Sequence, residues 1–274
     1  MKSERIFSKN ATYQRFEVLK TNRNKRHKYN EFFLEGVRNI NQAIENNWHI
    51  CSFIYTNEIP LSKWASDLIR SVKTDINYEL TLSLMNDLSG KEDTSELLAI
   101  VKMRADDFSQ LYLSDNPVLA LFDRPSNKGN LGTIIRSCDA LGVEALILTG
   151  HSVDLYDPDV IISSMGSFFN LPVIRVLENA TLNHIMKELK MKFPNFKAVG
   201  STAHKEYPIY CCDMTTPLMI MIGNETDGLN RTYKEMCDVL VTIPMSESSS
   251  ATSFNVGCAA TVMFYEVARQ RNTK

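Results

Sequence analysis

An amide and a guanidinium stand six residues apart in Asn130-Leu-Gly-Thr-Ile-Ile-Arg136. Arginine is a permanent cation that hardly deprotonates, so Arg136 suits the positioning of an anionic or hydroxylated group better than the role of general base. Two other stretches carry polar groups between turn-forming residues. Gly223-Asn-Glu-Thr-Asp-Gly-Leu229 holds a carboxylate, Glu225, between two glycines. Pro244-Met-Ser-Glu-Ser-Ser-Ser-Ala-Thr-Ser-Phe-Asn255 is rich in hydroxyls and ends on an amide fit to cap a helix. Six cysteines without a C-x-x-C pair and five dispersed histidines suggest neither a metal site nor a disulfide framework. Neither G-x-G-x-x-G nor G-x-x-x-x-G-K-[ST] occurs, so the glycine nest of dinucleotide and P-loop sites is missing.

The positioning elements follow from hydrophobic patterning. Val118–Phe122 and Leu218–Ile222 are continuous apolar runs of the kind that form parallel strands buried on both faces. Each precedes one of the polar loops. Further strands are expected at Ala145–Thr149, Leu171–Val176, Lys197–Gly200 and Val239–Ile243. Helices are expected at Leu131–Leu141, Val160–Phe169, Leu182–Phe193, Thr226–Cys237 and Asn255–Arg271. This alternation argues for a mostly parallel α/β sheet covered on both faces, with all three loops at its carboxyl edge.

Ahead of it lies a smaller α/β pattern. Phe32–Leu34 is extended, Gly36 turns the chain, and Val37, Ile40, Ala43 and Ile44 have helical spacing. His49–Tyr55 and Leu97–Met103 read as strands. The division is placed at a polar linker, giving domains at 1–104 and 117–274 joined by 105–116.

The 274 residues have 44% hydrophobic and 23% charged content, an ordinary globular balance. No apolar run is long enough for a transmembrane helix, and the first residues lack the apolar core of a secretory signal, so a cytoplasmic protein is expected. The net charge of −2 hides an asymmetry, because residues 1–30 hold nine Lys or Arg against two Glu. Such a basic end fits contact with a polyanion, with Arg23, Lys25, Arg26 and Lys28 as the densest cluster.

In order and spacing, the three loops resemble the motifs of the SpoU/TrmH family of S-adenosylmethionine-dependent RNA 2′-O-ribose methyltransferases. The first motif, N-x-G-x-x-x-R, is matched by Asn130, Gly132 and Arg136. The second is matched by Gly223-Asn224-Glu225 with Gly228-Leu229, and the third by Ile243-Pro244-Met245 followed by Ser253-Phe254-Asn255-Val256. The likeness covers residues 117–271, and residues 20–103 look like the small RNA-binding domain that often precedes this catalytic domain. The third loop is about two residues longer than usual, Phe254 stands where Leu is common, and Gly257 stands where Ser is common.

The resemblance implies a deep trefoil knot in the C-terminal domain and a homodimer in which Arg136 faces the partner subunit's cofactor. It implies S-adenosylmethionine as cofactor, held by Gly223, Ile243 and Phe254, with Ile222, Met245 and Gly200-Ser201-Thr202 nearby. It implies that Arg136 orients phosphate and favours ionisation of the ribose hydroxyl, while Asn130, Glu225, Ser253 and Asn255 hold Arg136 and shape the pocket. Two roles for Glu225 remain open, pairing with Arg136 or bracing its own loop. The substrate implied is rRNA in preference to tRNA. A non-catalytic RNA-binding member of the family is the alternative.

Overall fold

The computed structural model of the chain describes residues 2–89, 94–202 and 207–272. It divides into two compact units, Met1–Arg104 with Tyr156–Phe169, and Ala105–Leu155 with Asn170–Lys274.

The N-terminal unit contains β1 (Ser3–Ile6), α1 (Ala11–Thr21), α2 (Arg23–Tyr29), β2 (Glu31–Glu35), α3 (Val37–Glu45), β3 (Ile50–Tyr55), α4 (Lys63–Ser71), β4 (Asn77–Leu80), α5 (Leu82–Leu88) and β5 (Leu97–Lys102). Its sheet runs β1-β4-β3-β5-β2 and is mixed, with β5 antiparallel to both β2 and β3. Helix α1 buries Tyr13, Phe16 and Leu19 against it, and Asn10 and Asn22 cap α1 and α2 through their side chains.

The C-terminal unit contributes β6 (Val118–Asp123), α6 (Lys128–Ala140) and β7 (Ala145–Thr149). After α7 (Pro158–Ser163) it continues with β8 (Val173–Val176), α8 (Asn179–Lys192), β9 (Lys197–Ser201), β10 (Leu218–Ile222), α9 (Arg231–Met236), β11 (Val239–Val241) and α10 (Val256–Asn272). The strand order is β11-β9-β10-β6-β7-β8 and every pairing is parallel. All five residues of β10 are essentially inaccessible, which is why that strand is apolar throughout. One face of the sheet packs Leu119, Leu121, Met219 and Met221 against Leu182, Ile185, Met186 and Leu189 of α8. Burial stabilises such side chains by about 1.5–3 kcal/mol each. Strand order turns at β6, which has β7 on one side and β10 on the other, so the loops after β6 and β10 leave adjacent strand ends.

Three expectations change. The residues between β7 and β8 do not form one helix over Val160–Phe169. Helix α7 stops at Ser163, Met165 and Gly166 take positive φ values of 52° and 95°, and a 3₁₀ turn follows at Ser167–Phe169. A Cβ on Gly166 would meet Gln42 Cγ at 3.0 Å, so close packing reinforces the need for glycine. This stretch, assigned from sequence to the catalytic part, belongs to the N-terminal unit, where Tyr156, Phe168 and Phe169 gather around Phe32 and Trp48. The helix expected from Thr226 begins at Arg231, because residues 224–228 close into a turn and Asn230 supplies the cap. No helix among the described residues is long and apolar enough to cross a membrane.

Candidate active site

Asp123, the last residue of β6, is fully buried and accepts hydrogen bonds from Arg124 Nε and Nη2 at 2.9 and 3.0 Å. It also accepts from the backbone N–H of Asn230 at 3.0 Å, fastening the far end of the second loop to the end of β6. Arg124 adopts φ 47°, and its carbonyl accepts from Asn224 Nδ2 at 2.7 Å. The second loop is thereby held at both ends. Leu229, 2% exposed, fixes it to the core from below. Gly223 has no room for a side chain, since a Cβ would lie 2.0 Å from the Leu229 nitrogen.

Glu225 joins this loop to the first. Its carboxylate accepts from the Ser126 N–H (3.0 Å), the Ser126 hydroxyl (2.7 Å), the Asn127 N–H (3.0 Å) and Asn130 Nδ2 (3.3 Å). Burial works against ionisation, but the donors from Ser126, the backbone and Asn130 outweigh it and hold the carboxyl below its ordinary range. Asn255 joins the third loop to the same network. Its Nδ2 donates to Asn130 Oδ1 at 3.1 Å, and its Oδ1 caps α10 by accepting from the N–H groups of Gly257 and Cys258. Asn130 is therefore the hinge of a relay from Asn255 to Glu225, and all three loops meet in it.

A cleft of ≈ 370 Å³ opens between the second and third loops. Of the residues expected to bind cofactor, Ser201, Thr202, Ile222, Gly223, Ile243, Met245 and Phe254 line it. Gly200 does not: it is buried in β9, where a Cβ would meet Cys237 Sγ at 2.6 Å and Leu240 Cδ2 at 2.7 Å, so its glycine serves packing. Ser253 and Glu225 also line the cleft. Its size, apolar Ile243, Met245 and Phe254 and polar Ser201, Thr202 and Ser253 suit a flat heteroaromatic group carrying a polar tail.

Arg136 stands apart. It is exposed on α6, does not line the cleft, and its side chain has no hydrogen-bond or ion-pair partner among the described residues. Of the groups expected to hold it, Asn130, Glu225 and Asn255 bond to one another instead, Ser253 lines the cleft, and Glu225 braces the first two loops. Arg26, expected to meet phosphate, is 1% exposed. It donates to the Leu19 and Lys20 carbonyls and to Asp157, because its position on α2 faces the core. Arg23 and Lys28 on the same helix are exposed and Lys25 half-buried. Among the described residues one group has donors close enough to share a metal ion, His49, Cys51 and Asp75. His49 and Asp75 are bonded to each other at 3.0 Å, and burial, reinforced by the charges of Glu31 and Asp75, pushes the Cys51 thiol up to about 12. The arrangement is a surface pair over a protonated thiol.

Ser126, Asp123 and Asn230 are site-building residues that motif reasoning missed, and Asn224, matched within the second motif, was given no role of its own. Their signal was positional: they lie at or just after the ends of β6 and β10 or, for Asn230, at the start of α9, where polar side chains must answer for loop N–H groups.

The model of the SpoU rRNA Methylase family matches residues 117–265, which include all three loops, and that of the SpoU L30e-like domain matches residues 10–99. The chain belongs to the SpoU rRNA methylase family. It is 39% identical over 270 residues to the 23S rRNA (uridine(2479)-2′-O)-methyltransferase of Streptomyces viridochromogenes, covering 98% of this chain and 93% of that one. It is also similar to the crystal structure of the SpoU methyltransferase AviRb from the same organism in complex with the cofactor AdoMet. The TM-score is 0.90 at 39% identity, over 96% of this chain and 99% of that chain. A more distant member, the 23S rRNA (guanosine-2′-O-)-methyltransferase RlmB of Escherichia coli K12, is 31% identical over 58% of this chain and 62% of its own length. Within the family's third motif, Gly257 has a local reason. A Cβ there would lie 3.1 Å from Thr133 Cγ2 and 3.2 Å from Asn255 Oδ1, where α10 closes on α6.

Proposed function

We propose that the protein is an S-adenosylmethionine-dependent methyltransferase that modifies a ribose 2′-hydroxyl of 23S rRNA. The observation that carries this reading is the relay Asn255–Asn130–Glu225, which ties the three family motifs into one site beside a cleft of cofactor size. Ribosomal RNA is preferred to tRNA because the relative aligned along nearly the whole chain is named for 23S rRNA.

When bound, S-adenosylmethionine supplies a methyl group activated by its sulfonium. The cleft holds it through the backbone of Gly223 and Ile243 and the side chains of Met245 and Phe254. Ser201 and Thr202 offer hydrogen bonds at the polar end. The 2′-hydroxyl is a poor nucleophile with a high pKa, so the site gains rate by orienting it and favouring its ionised form. Arg136 does this as a fixed cation beside the ribose and its phosphate, and the proton leaves to a phosphate oxygen or water.

Arg136 acts on the cofactor held by a second copy of the chain. Its exposure, its absence from its own cleft's lining, and the exposed Val262 and Tyr265 on α10, the helix that packs on α6, support a homodimer through this face. The family's trefoil knot belongs to the same reading, supported by β10 lying between β6 and β9 and by α10 packing on α6. The N-terminal unit supplies the RNA contacts through Arg23, Lys25 and Lys28, and the enzyme works in the cytoplasm, where ribosomes are.

Arg136→Ala is expected to bind S-adenosylhomocysteine as the wild type does and to lose methyl transfer to unmodified 23S rRNA by 10²-fold or more, on the order of the loss of a transition-state charge contact. Co-expressed with a Gly223→Ala chain, it should regain part of the activity. Full transfer by Arg136→Ala alone would remove the residue from the mechanism.

A further inference from the structure

Among the described residues, Lys234 of α9 is the one lysine or arginine that lines the cleft. It is half-buried, and its side chain has no hydrogen-bond or ion-pair partner among the described residues. The neighbouring charges are committed elsewhere. Glu235, next in sequence, bonds Arg231 at 2.7 Å. Glu225 is saturated by Ser126, Asn127 and Asn130, and Asp227 lies 3.7 Å from Arg124 Nη1. The cleft thus contains two carboxylates already answered by protein donors and one ammonium that is not.

The position of that ammonium is fixed from the core. The Asn230 side chain caps α9 by accepting from the Tyr233 N–H, and the Asn230 N–H is tied to buried Asp123. Tyr233, adjacent to Lys234, is buried and donates its hydroxyl to Asn179. Lysine flexibility is therefore confined to a side chain that starts from a rigid base at the cleft wall.

We infer that Lys234 is the subsite for the carboxylate of the cofactor's amino-acid end. This rests on the proposed cofactor. An ammonium lining a partly desolvated cleft without a partner is favoured by a ligand that brings an anionic group, and the amino-acid tail supplies one while the adenosine portion is neutral. The apolar Ile243, Met245 and Phe254 of the same lining serve the adenosine.

The test compares two probes by calorimetry on the full-length protein. S-adenosylhomocysteine carries the amino-acid end, and 5′-methylthioadenosine keeps the adenosine and thioether without it. Lys234→Gln is expected to weaken S-adenosylhomocysteine by about tenfold, the usual worth of a charge-assisted hydrogen bond, and to leave 5′-methylthioadenosine within about twofold, a change too small for any lost polar contact. Lys234→Arg should retain most of the affinity. Added salt should weaken S-adenosylhomocysteine binding more in the wild type than in Lys234→Gln. Equal loss for both probes, or no loss for either, overturns the assignment. Failure of the wild type to bind either probe would instead overturn the cofactor reading itself.

Discussion

Glu225 shows how much of the site one carboxylate sets. It faces four donors from residues 126–130, so its ionised form is the brace between the first and second loops. The folded-state pKa is depressed, so the stabilisation is complete above the ordinary carboxylate range and is lost only as pH falls through the lower folded value. Affinity for S-adenosylhomocysteine, measured by calorimetry, is therefore expected to hold from neutral pH down into the ordinary carboxylate range and to decline only below it. Glu225→Gln should weaken that affinity by roughly 1–3 kcal/mol at neutral pH, because its amide N–H₂ opposes donors that need an acceptor. An unchanged affinity in the amide variant would show that the bridge does not shape the cleft. The sequence marked Asn130, Glu225 and Asn255 as polar groups at loop ends. It left open which of them touch, since spacing along the chain carries no direction for a side chain across 95 or 125 residues.

At the scale of elements, strands were the most legible because burial on both faces leaves an unbroken apolar run, as in Leu218–Ile222. Helices at loop exits were less so. Thr226 and Asp227 have helix-compatible neighbours, but their N–H groups bond Asn224 Oδ1, and only after Gly228, at φ 68°, does the cap at Asn230 start α9. Helix α1 escaped notice although Tyr13, Phe16 and Leu19 recur at helical spacing, because the surrounding lysines and arginines dominate that end of the chain. Helix α2 shows the cost of reading charge without direction. Arg26 turns inward to two carbonyls and Asp157, while Arg23 and Lys28 turn outward. Two variants separate these roles. Neutralising Arg23, Lys25 and Lys28 together is expected to weaken rRNA binding and flatten its salt dependence, with the melting temperature unchanged. Arg26→Met should lower the melting temperature by leaving Asp157 without this partner, at about 1–3 kcal/mol. Equal effects on binding and stability from both variants would contradict the division.

At the scale of the molecule, the chain forms two α/β units, and the boundary between them is not a single point in the chain. Residues 156–169 leave the parallel sheet after β7 and complete the aromatic core of the N-terminal unit before β8 begins. A linear reading places the division at a polar linker and has no means of assigning a later segment to an earlier unit, since its Phe168 and Phe169 are as apolar as any other core residues. The order of the three motif loops was legible because parallel strands put their exits on one edge. The central claim is the bond made there, a methyl group on a ribose oxygen of 23S rRNA. It is tested most directly by incubating the wild-type protein with S-adenosylmethionine labelled in its methyl group and unmodified 23S rRNA, then hydrolysing the RNA in alkali. A 2′-O-methyl group blocks cleavage at its own linkage, so the account predicts that the label appears in a dinucleotide resistant to alkali. Label released as a methylated mononucleotide would place the methyl group on a base and contradict it.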